Sequence, residues 1–561
     1  MPTEGLGQNN IHASSGLFSS RRLRSDWTYS IVLRTLAAAA VSFLWFAPFL
    51  STFLEEQTRV ATYWQRHDAL SLLGLPIFVA LIFVCASELV RRVKIDFLTR
   101  CFNHLFIIAL GGGLLTVAIF QLNKLPGLSI SPIGTQAQTA WMLLAASAGY
   151  SFARGDSQLV RKAYRVSLIL SPLPLILIIQ IMAQRTYPLR HDSLTLAVPQ
   201  ALSGEVRTWP ALADKTQAPP PPVYLFIFDE WSYRRTFCND ELDPVFTNLD
   251  ELSRQSLVFT DAHSPGRKTE LSLPGILFQT DLPVATPYPK VGFKRDGQFV
   301  SSGEFDSIFS CVAERDYHSV LLGFGFPSHL WLDEQVECYR MYNFSARGRN
   351  LFEDMAMHFM CATMEMNGPW FTAFRKTFGA YVYYPYYHEL FCQLERDVSQ
   401  ILTQWPKNTF AVMHYLLPHK PFIFREDGSA RGPDRVMYQN SPENYRAHLI
   451  CLDRTIGRFV DLMKKAGTFD DALIIMTSDH SWRTDPLRWH DPALVSNTHV
   501  PLFVKMPGQT RHAKISHHYK LSGLRPLIEY ALRQNDGDLE GARRLVRDCA
   551  GDRQYLVQVG E

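Results

Sequence analysis

The stretch Val223–Ser232, VYLFIFDEWS, begins straight after four consecutive prolines, Pro219 to Pro222. Six apolar residues with β-branched and aromatic content, ended by two adjacent carboxylates, predict a fully buried strand. A parallel strand covered on both faces has this composition, and ligands in such sheets bind at the strands' carboxyl ends. Asp229 and Glu230 fall at that edge, although a strand simply leaving into solvent on two acids reads equally well in isolation. A second copy of the pattern tips the balance. Ala472–Ser478, ALIIMTS, is another apolar run, and it ends on Asp479 and His480. Two core strands that each deliver metal-type ligands at their exits point to one site built from distant parts of the chain.

Upstream, the chain has a different character. Its 561 residues are too many for one ordinary domain and predict two to four. A net charge of +3 with no long basic run argues against nucleic acid as a partner. The 47% apolar content is concentrated in the first third, as five segments: Leu36–Leu54, Leu70–Val90, Leu105–Gln121, Gln138–Phe152 and Val166–Ala183. A spanning helix takes about 20 mostly apolar residues. The fourth segment is the shortest and is rich in Ala and Ser.

Basic residues orient these segments. With a cytoplasmic N-terminus, twelve flanking Lys and Arg lie inside and five outside. The expected order is a cytoplasmic tail (1–30), five transmembrane helices (31–183), a polar linker (184–222) and an extracytoplasmic catalytic domain (223–561). The linker ends in the proline run, which suits a semi-rigid spacer. Of nine cysteines, seven fall in the outer part, where up to three disulfides could form. The absence of a CxxC pair argues against a thiolate zinc site.

Beyond Val223, strand-like runs alternate with helical patterns. Further strands are expected at His318–Phe324, Thr409–Leu416, Ala472–Ser478 and Val500–Lys505. Asn444–Lys465 places Leu449, Leu452, Ile456, Phe459, Val460 and Met463 at helical spacing. The fold class is α/β with a mainly parallel sheet.

Four further stretches carry chemistry. Ser264–Thr280 leads through Arg267 and Lys268 to Thr269 at a helix entry, where amide groups and the helix dipole favour an anion. The plainer reading of Thr269 is an N-cap with Glu270 in the first turn. His414–Phe422, HYLLPHKPF, sets two histidines five apart beyond a strand. Thr477–Arg483, TSDHSWR, holds Asp479 and His480, and in Asn497–Phe503, NTHVPLF, His499 opens the final strand. Hard oxygen donors with imidazole suit zinc or manganese better than calcium.

Strand–acid, Thr-x-x-Ser-x-Pro, His-x4-His, Ser-Asp-His and Thr-His-x-Pro, in that order, resemble the alkaline phosphatase/sulfatase superfamily. With membrane segments in front, the chain is most similar to membrane-anchored phosphoethanolamine transferases and lipoteichoic-acid-synthase-like enzymes. The resemblance implies Thr269 as covalent nucleophile and Asp229, Glu230, Thr269, Asp479 and His480 around a divalent metal. It implies His419 and His499 as catalytic, and Lys268, His414 and His490 at the substrate. It further implies a bacterial inner-membrane enzyme moving a phospholipid head group to an envelope lipid or glycan. A sulfatase or phosphodiesterase-type hydrolase of the same superfamily, and a degenerate envelope binding protein, are the alternatives. Three departures are visible: Ser481 and Trp482 follow Asp-His where glycine is usual, the Cys/Ser-x-Pro-Ser-Arg signature is missing, and no cysteines flank Thr269.

Overall fold

The computed structural model describes residues 16–54, 66–122, 135–154, 157–183, 220–286, 291–342 (without 314, 316, 325–327 and 333–334), 355, 358, 359, 362, 369–487 (without 435, 437 and 438), 497–533 and 539–551. Two compact units result: one of Met1–Glu55, Gln65–Thr186 and Ala346–Arg375, the other of Glu56–Trp64, Tyr187–Ser345 and Lys376–Glu561.

The first unit is helical: α1 (Gly16–Thr52), α2 (Arg66–Val93), α3 (Asp96–Leu122), α4 (Thr135–Arg154), α5 (Ser157–Ile169) and α6 (Pro172–Ala183). Among the described residues four stretches are long and apolar enough to cross a membrane: Ile31–Thr52, Ala69–Val93, Asp96–Leu122 and Gln158–Ala183. Their outward faces carry Leu81, Ile82, Leu105, Ile176 and Ile179, all exposed. Water does not tolerate so much contiguous apolar surface, whereas lipid does. The chain is membrane-anchored.

The expected count of five spans is corrected to four. The fourth sequence segment does fold as a helix, α4, but Gln136, Gln138, Ser147 and Ser151 dilute its apolar content below that of a span. It is held by packing instead. Trp141 stacks on Trp45 of α1 at 5.7 Å between ring centroids. A side chain at Gly112 of α3 would collide with both indoles, with 2.4 Å from a Cβ to Trp141 and 2.5 Å to Trp45. The fifth segment reaches further back than expected, because α5 and α6 join at Leu170–Ser171 into one span.

In the second unit an eight-stranded sheet collects the expected strands. Its strands are β1 (Val223–Asp229), β2 (Leu257–Phe259), β4 (His318–Phe324), β5 (Cys338–Tyr342), β6 (Thr409–Pro418), β7 (Leu473–Ser478), β8 (Leu502–Lys505) and β9 (Ala513–Ile515), in the order β5-β4-β6-β1-β7-β8-β2-β9. Only β8 runs against the others. A separate two-stranded pair joins β3 (Ala262–His263) to β10 (Tyr519–Lys520).

β1 is central and wholly buried. Its alternation divides the core. Tyr224, Phe226 and Phe228 face α9 (Pro442–Ala466) through Leu449, Ile456, Phe459 and Met463. Val223, Leu225 and Ile227 share the opposite core with Ile276 and Leu277 of α7 (Thr269–Leu277) and Leu524 and Ile528 of α10 (Leu524–Arg533). Helices on both faces are what a strand apolar on both sides requires. α9 starts where Ser441 accepts the Asn444 amide and Pro442 takes a first-turn position, and it stops at Gly467 with φ of 65°. Of the outer cysteines, Cys238, Cys311, Cys338, Cys392 and Cys451 are free thiols, so the allowed disulfides do not form among the described residues.

Candidate active site

β1 and β7 are parallel neighbours in register, Phe228 opposite Ser478, so their exits deliver Asp229 and Asp479 side by side. The Ser478 hydroxyl donates to the Phe228 carbonyl at 2.6 Å and accepts the Trp231 amide at 2.8 Å. Glu230 turns the chain in the left-handed region, with φ of 67°, and its amide donates to Asp479 Oδ1 at 3.2 Å. A buried non-glycine residue in that conformation costs of order 1–3 kcal/mol and persists only where its surroundings hold it. Here Tyr445 of α9 does the holding: its hydroxyl donates to the Glu230 carbonyl at 2.6 Å and accepts the Ser232 amide at 3.0 Å. Trp482, fully buried, stacks flat on Tyr445 at 4.1 Å. The Trp482 indole thus braces the strand exit.

Around Asp479 the side chains converge. His480 Nδ1 donates to the Ser481 carbonyl at 2.9 Å, which turns Nε2 toward the cluster. That Nε2 lies 3.2 Å from Thr269 Oγ1, 3.4 Å from Asp479 Oδ2 and 3.8 Å from Asp229 Oδ1. His414 repeats the arrangement from β6, with Nδ1 on the Phe324 carbonyl at 3.1 Å and Nε2 3.8 Å from Asp479 Oδ2. One ligand atom each from Asp229, His414 and Asp479 lies within 4.8 Å of the others.

Asp229 Oδ1, Asp479 Oδ2, His414 Nε2 and Glu230 Oε2 are buried without a hydrogen-bond partner. Each such orphan costs about 1–3 kcal/mol. Burial, then the negative charges of Asp479 and Glu230, push the Asp229 carboxyl far above its usual range. Burial pushes Asp479 the same way, but His480 and His414 outweigh it and hold that carboxyl low. Carboxylates and imidazole nitrogens gathered at one dry point around the Thr269 hydroxyl, several of them without a hydrogen-bond partner, fit a divalent cation.

The remaining expected residues separate into groups. Thr269 is the first residue of α7, buried, with Oγ1 at the convergence point. Ser272, one turn on, donates its hydroxyl to the Asp479 carbonyl. Glu230 turns its Oε1 to Arg483 Nε, 2.6 Å away, and leaves Oε2 buried without a partner. His419, its Nδ1 on the Lys420 carbonyl, accepts from the same guanidinium at 3.1 Å. Burial, then the Arg483 charge, hold its imidazole below the ordinary range against the pull of Glu230. His414, expected at the substrate, sits within the buried cluster. Lys268 is exposed and pairs with Glu270 at 3.6 Å. His499 donates through Nε2 to the Thr260 carbonyl at 2.9 Å and stacks between Tyr233 and His263. His490 lies outside the described residues.

Arg483, Ser478 and Tyr445 were not singled out by sequence. Arg483 had one available signal, its place three residues after His480 in TSDHSWR. Tyr445 had none, because a tyrosine on a helix face reads as core.

An α/β sheet with paired acids at adjacent strand exits and a hydroxyl at a facing helix entry defines a class of metal-dependent enzymes acting on phosphate or sulfate esters. Residues 222–526 match the Sulfatase family, and the chain belongs to it. It is an enzyme of the phosphotransferase or hydrolase type, in a superfamily that uses divalent metals. No curated protein matches the chain. Among solved structures it is similar to the lipoteichoic acid synthase LtaP from Listeria monocytogenes, at 14% identity over 58% of this chain and 76% of that one, TM-score 0.36. A phosphonate monoester hydrolase of Agrobacterium radiobacter matches at 15% identity over 56% and 74%, TM-score 0.35. A protein of the alkaline phosphatase superfamily from Vibrio parahaemolyticus matches at 14% over 56% and 67%, TM-score 0.37.

Proposed function

We propose that this enzyme transfers a phospholipid head group, phosphoethanolamine-like, to an envelope lipid or glycan through a covalent phospho-threonine at Thr269. The observation that carries the reading is the position of Thr269 Oγ1, 3.2 Å from His480 Nε2 at the point where the orphaned carboxylate and imidazole atoms converge. Asp229, Glu230 through its unpartnered Oε2, Thr269, Asp479 and His480 would hold a zinc or manganese ion, with His414 close by. When bound, such an ion lowers the pKa of a hydroxyl and offsets charge on a phosphoryl group.

The chain's own residues do the rest. Two backbone-anchored imidazoles, His480 and His414, fix the direction of their lone pairs. Thr269 stands at the positive end of the α7 dipole, which favours a negatively charged group beside it. Arg483, tied to Glu230 and His419, keeps a cation at the edge of the cluster. Thr269 Oγ1 attacks phosphorus in line, the phosphorus–oxygen bond to diacylglycerol breaks, and an acceptor hydroxyl later displaces the threonine. Membrane anchoring supports a lipid donor, because both substrate and enzyme are then confined to one surface. The proposed setting is a bacterial inner membrane with the catalytic unit periplasmic.

The test is an assay on vesicles of phosphatidylethanolamine labelled in the head group. Wild type should release diacylglycerol and pass the label to an acceptor, and Thr269→Ala should do neither. Release of free labelled phosphoethanolamine by wild type, with no acceptor labelled, would make the enzyme a hydrolase. Turnover of a sulfate ester instead would refute the donor class.

A further inference from the structure

A second group of metal-type side chains lies on the small β3–β10 sheet. Asp261 and His263 flank Ala262, so they project from one side of the strand while Ala262 is buried on the other. Tyr519 pairs with Ala262, which sets His518 beside Asp261. His263 Nε2 lies 2.7 Å from Asp261 Oδ1, and His518 Nδ1 lies 3.2 Å from Asp261 Oδ2. One ligand atom from each of the three lies within 4.8 Å of the other two.

Tetrahedral zinc with bonds of about 2.0–2.1 Å separates its ligands by roughly 3.3 Å. The Asp261–His518 pair, at 3.2 Å, is already at that spacing, and the Asp261–His263 pair, at 2.7 Å, has only to open slightly. His518, 55% exposed at its side chain, rests its ring on that of His263 at 4.7 Å between centroids, and on its open side it can rotate to close the remaining gap. The His263 ring is fixed from two directions. Its Nδ1 lies 3.2 Å from Thr498 Oγ1, and its face stacks on His499 at 5.1 Å, which stacks in turn on Tyr233 at 4.1 Å. An imidazole whose second nitrogen and plane are held by neighbours is how protein metal ligands are oriented. The donor set, two imidazoles and one carboxylate with water on the open side, matches the preference of zinc-type ions.

We propose that Asp261, His263 and His518 form a second, solvent-accessible site for a zinc-type divalent ion, separate from the buried Asp229–Asp479 cluster. An ion there ties β10 to the chain that enters the Ser264–Thr269 segment, whose Ser264 amide already donates to the Thr498 carbonyl at 2.8 Å. The inference does not rest on the transferase reading.

The experiment is zinc counting on full-length protein in detergent, free of any polyhistidine tag, after metal stripping and dialysis against zinc. His518→Ala, an exposed change that leaves folding intact, should bind one equivalent less than wild type. In an Asp479→Asn background one equivalent should remain, and His518→Ala should remove it. Cobalt in that background should give a visible absorption band that His263→Gln abolishes. Equal zinc content in wild type and His518→Ala, or no His518-dependent zinc in the Asp479→Asn background, would show that the three side chains form only a hydrogen-bonded ion-pair network. Asp479→Asn leaving the total unchanged would count against the catalytic-metal reading and leave this one standing.

Discussion

Thr269 and Ser272 are both buried hydroxyls on α7, three residues apart, and their partners separate them. The Ser272 hydroxyl is spent on the Asp479 backbone carbonyl, whereas Thr269 Oγ1 meets His480 Nε2 among atoms that lack donors. Losing a covalent nucleophile costs several orders of magnitude in turnover, and losing a supporting hydroxyl about one or two. Thr269→Ala is therefore predicted to be inactive, Thr269→Ser partly active, and Ser272→Ala impaired but working. A dead Ser272→Ala beside a near-normal Thr269→Ala would exchange their roles. Asp479→Asn removes charge where two imidazoles and a second carboxylate converge. Metal analysis should show it short of one ion relative to wild type, and equal content would contradict the cluster's assignment. Asp229, Asp479, His480 and Thr269 were legible in sequence because strand exits and helix entries leave local marks. The Arg483–Glu230–His419 contact was not, because it depends on the left-handed turn at Glu230 and on a loop reshaped around Trp482.

Elements obeyed their local patterns where the pattern was periodic. The alternating burial of β1 and the span of α9 followed from sequence, as did the parallel pairing of the strands that carry the acids. The reversed strand β8 did not, since its apolar run has the same composition as a parallel core strand. α9 also carries a titratable device. Its His448 accepts the Phe424 amide on Nε2 at 3.2 Å and packs edge-on to Phe422, so the ring must stay neutral. Burial holds its pKa down to about 3. The unfolded chain, with an ordinary pKa of about 6.5, takes up the proton first as pH falls. The stability this residue contributes is complete above about pH 6.5 and is lost progressively between there and pH 3. From pH 6.5 to 5 the loss is about 2 kcal/mol. Thermal unfolding should show the midpoint of wild type falling over that interval, and His448→Gln, which keeps an acceptor but does not titrate, should flatten the fall. An unchanged slope would place the acid sensitivity elsewhere.

At the scale of the whole molecule, the anchoring unit sets a parity condition. Four spans return the chain to its starting side, whereas a catalytic unit opposite the N-terminus takes an odd number of crossings. A fifth crossing would have to be α4, whose composition falls short of a span. Its 20 residues are about 30 Å of helix, the thickness of a bilayer core. Its exposed side carries Met142, Leu143 and Tyr150, while Trp141 and Ser151 are turned inward. Sequence alone ranked this segment by composition and could not see that packing on Trp45 and Gly112 stabilises it. Reporter fusions ahead of Gly16 and after Ser193 should therefore report the same side of the membrane, as four spans require. Opposite sides would show that α4 crosses as a fifth span.

The covalent intermediate is the point on which the account turns, and peptide mass spectrometry reads it directly. Full-length protein should be mixed with phosphatidylethanolamine vesicles without acceptor, quenched in acid and digested. The account predicts a peptide containing Thr269 heavier by one phosphoethanolamine group, with fragmentation placing the group on Thr269 and no such peptide from Asp479→Asn. An unmodified Thr269 peptide from protein that has released diacylglycerol under the same conditions, or the group on Ser272, would contradict it.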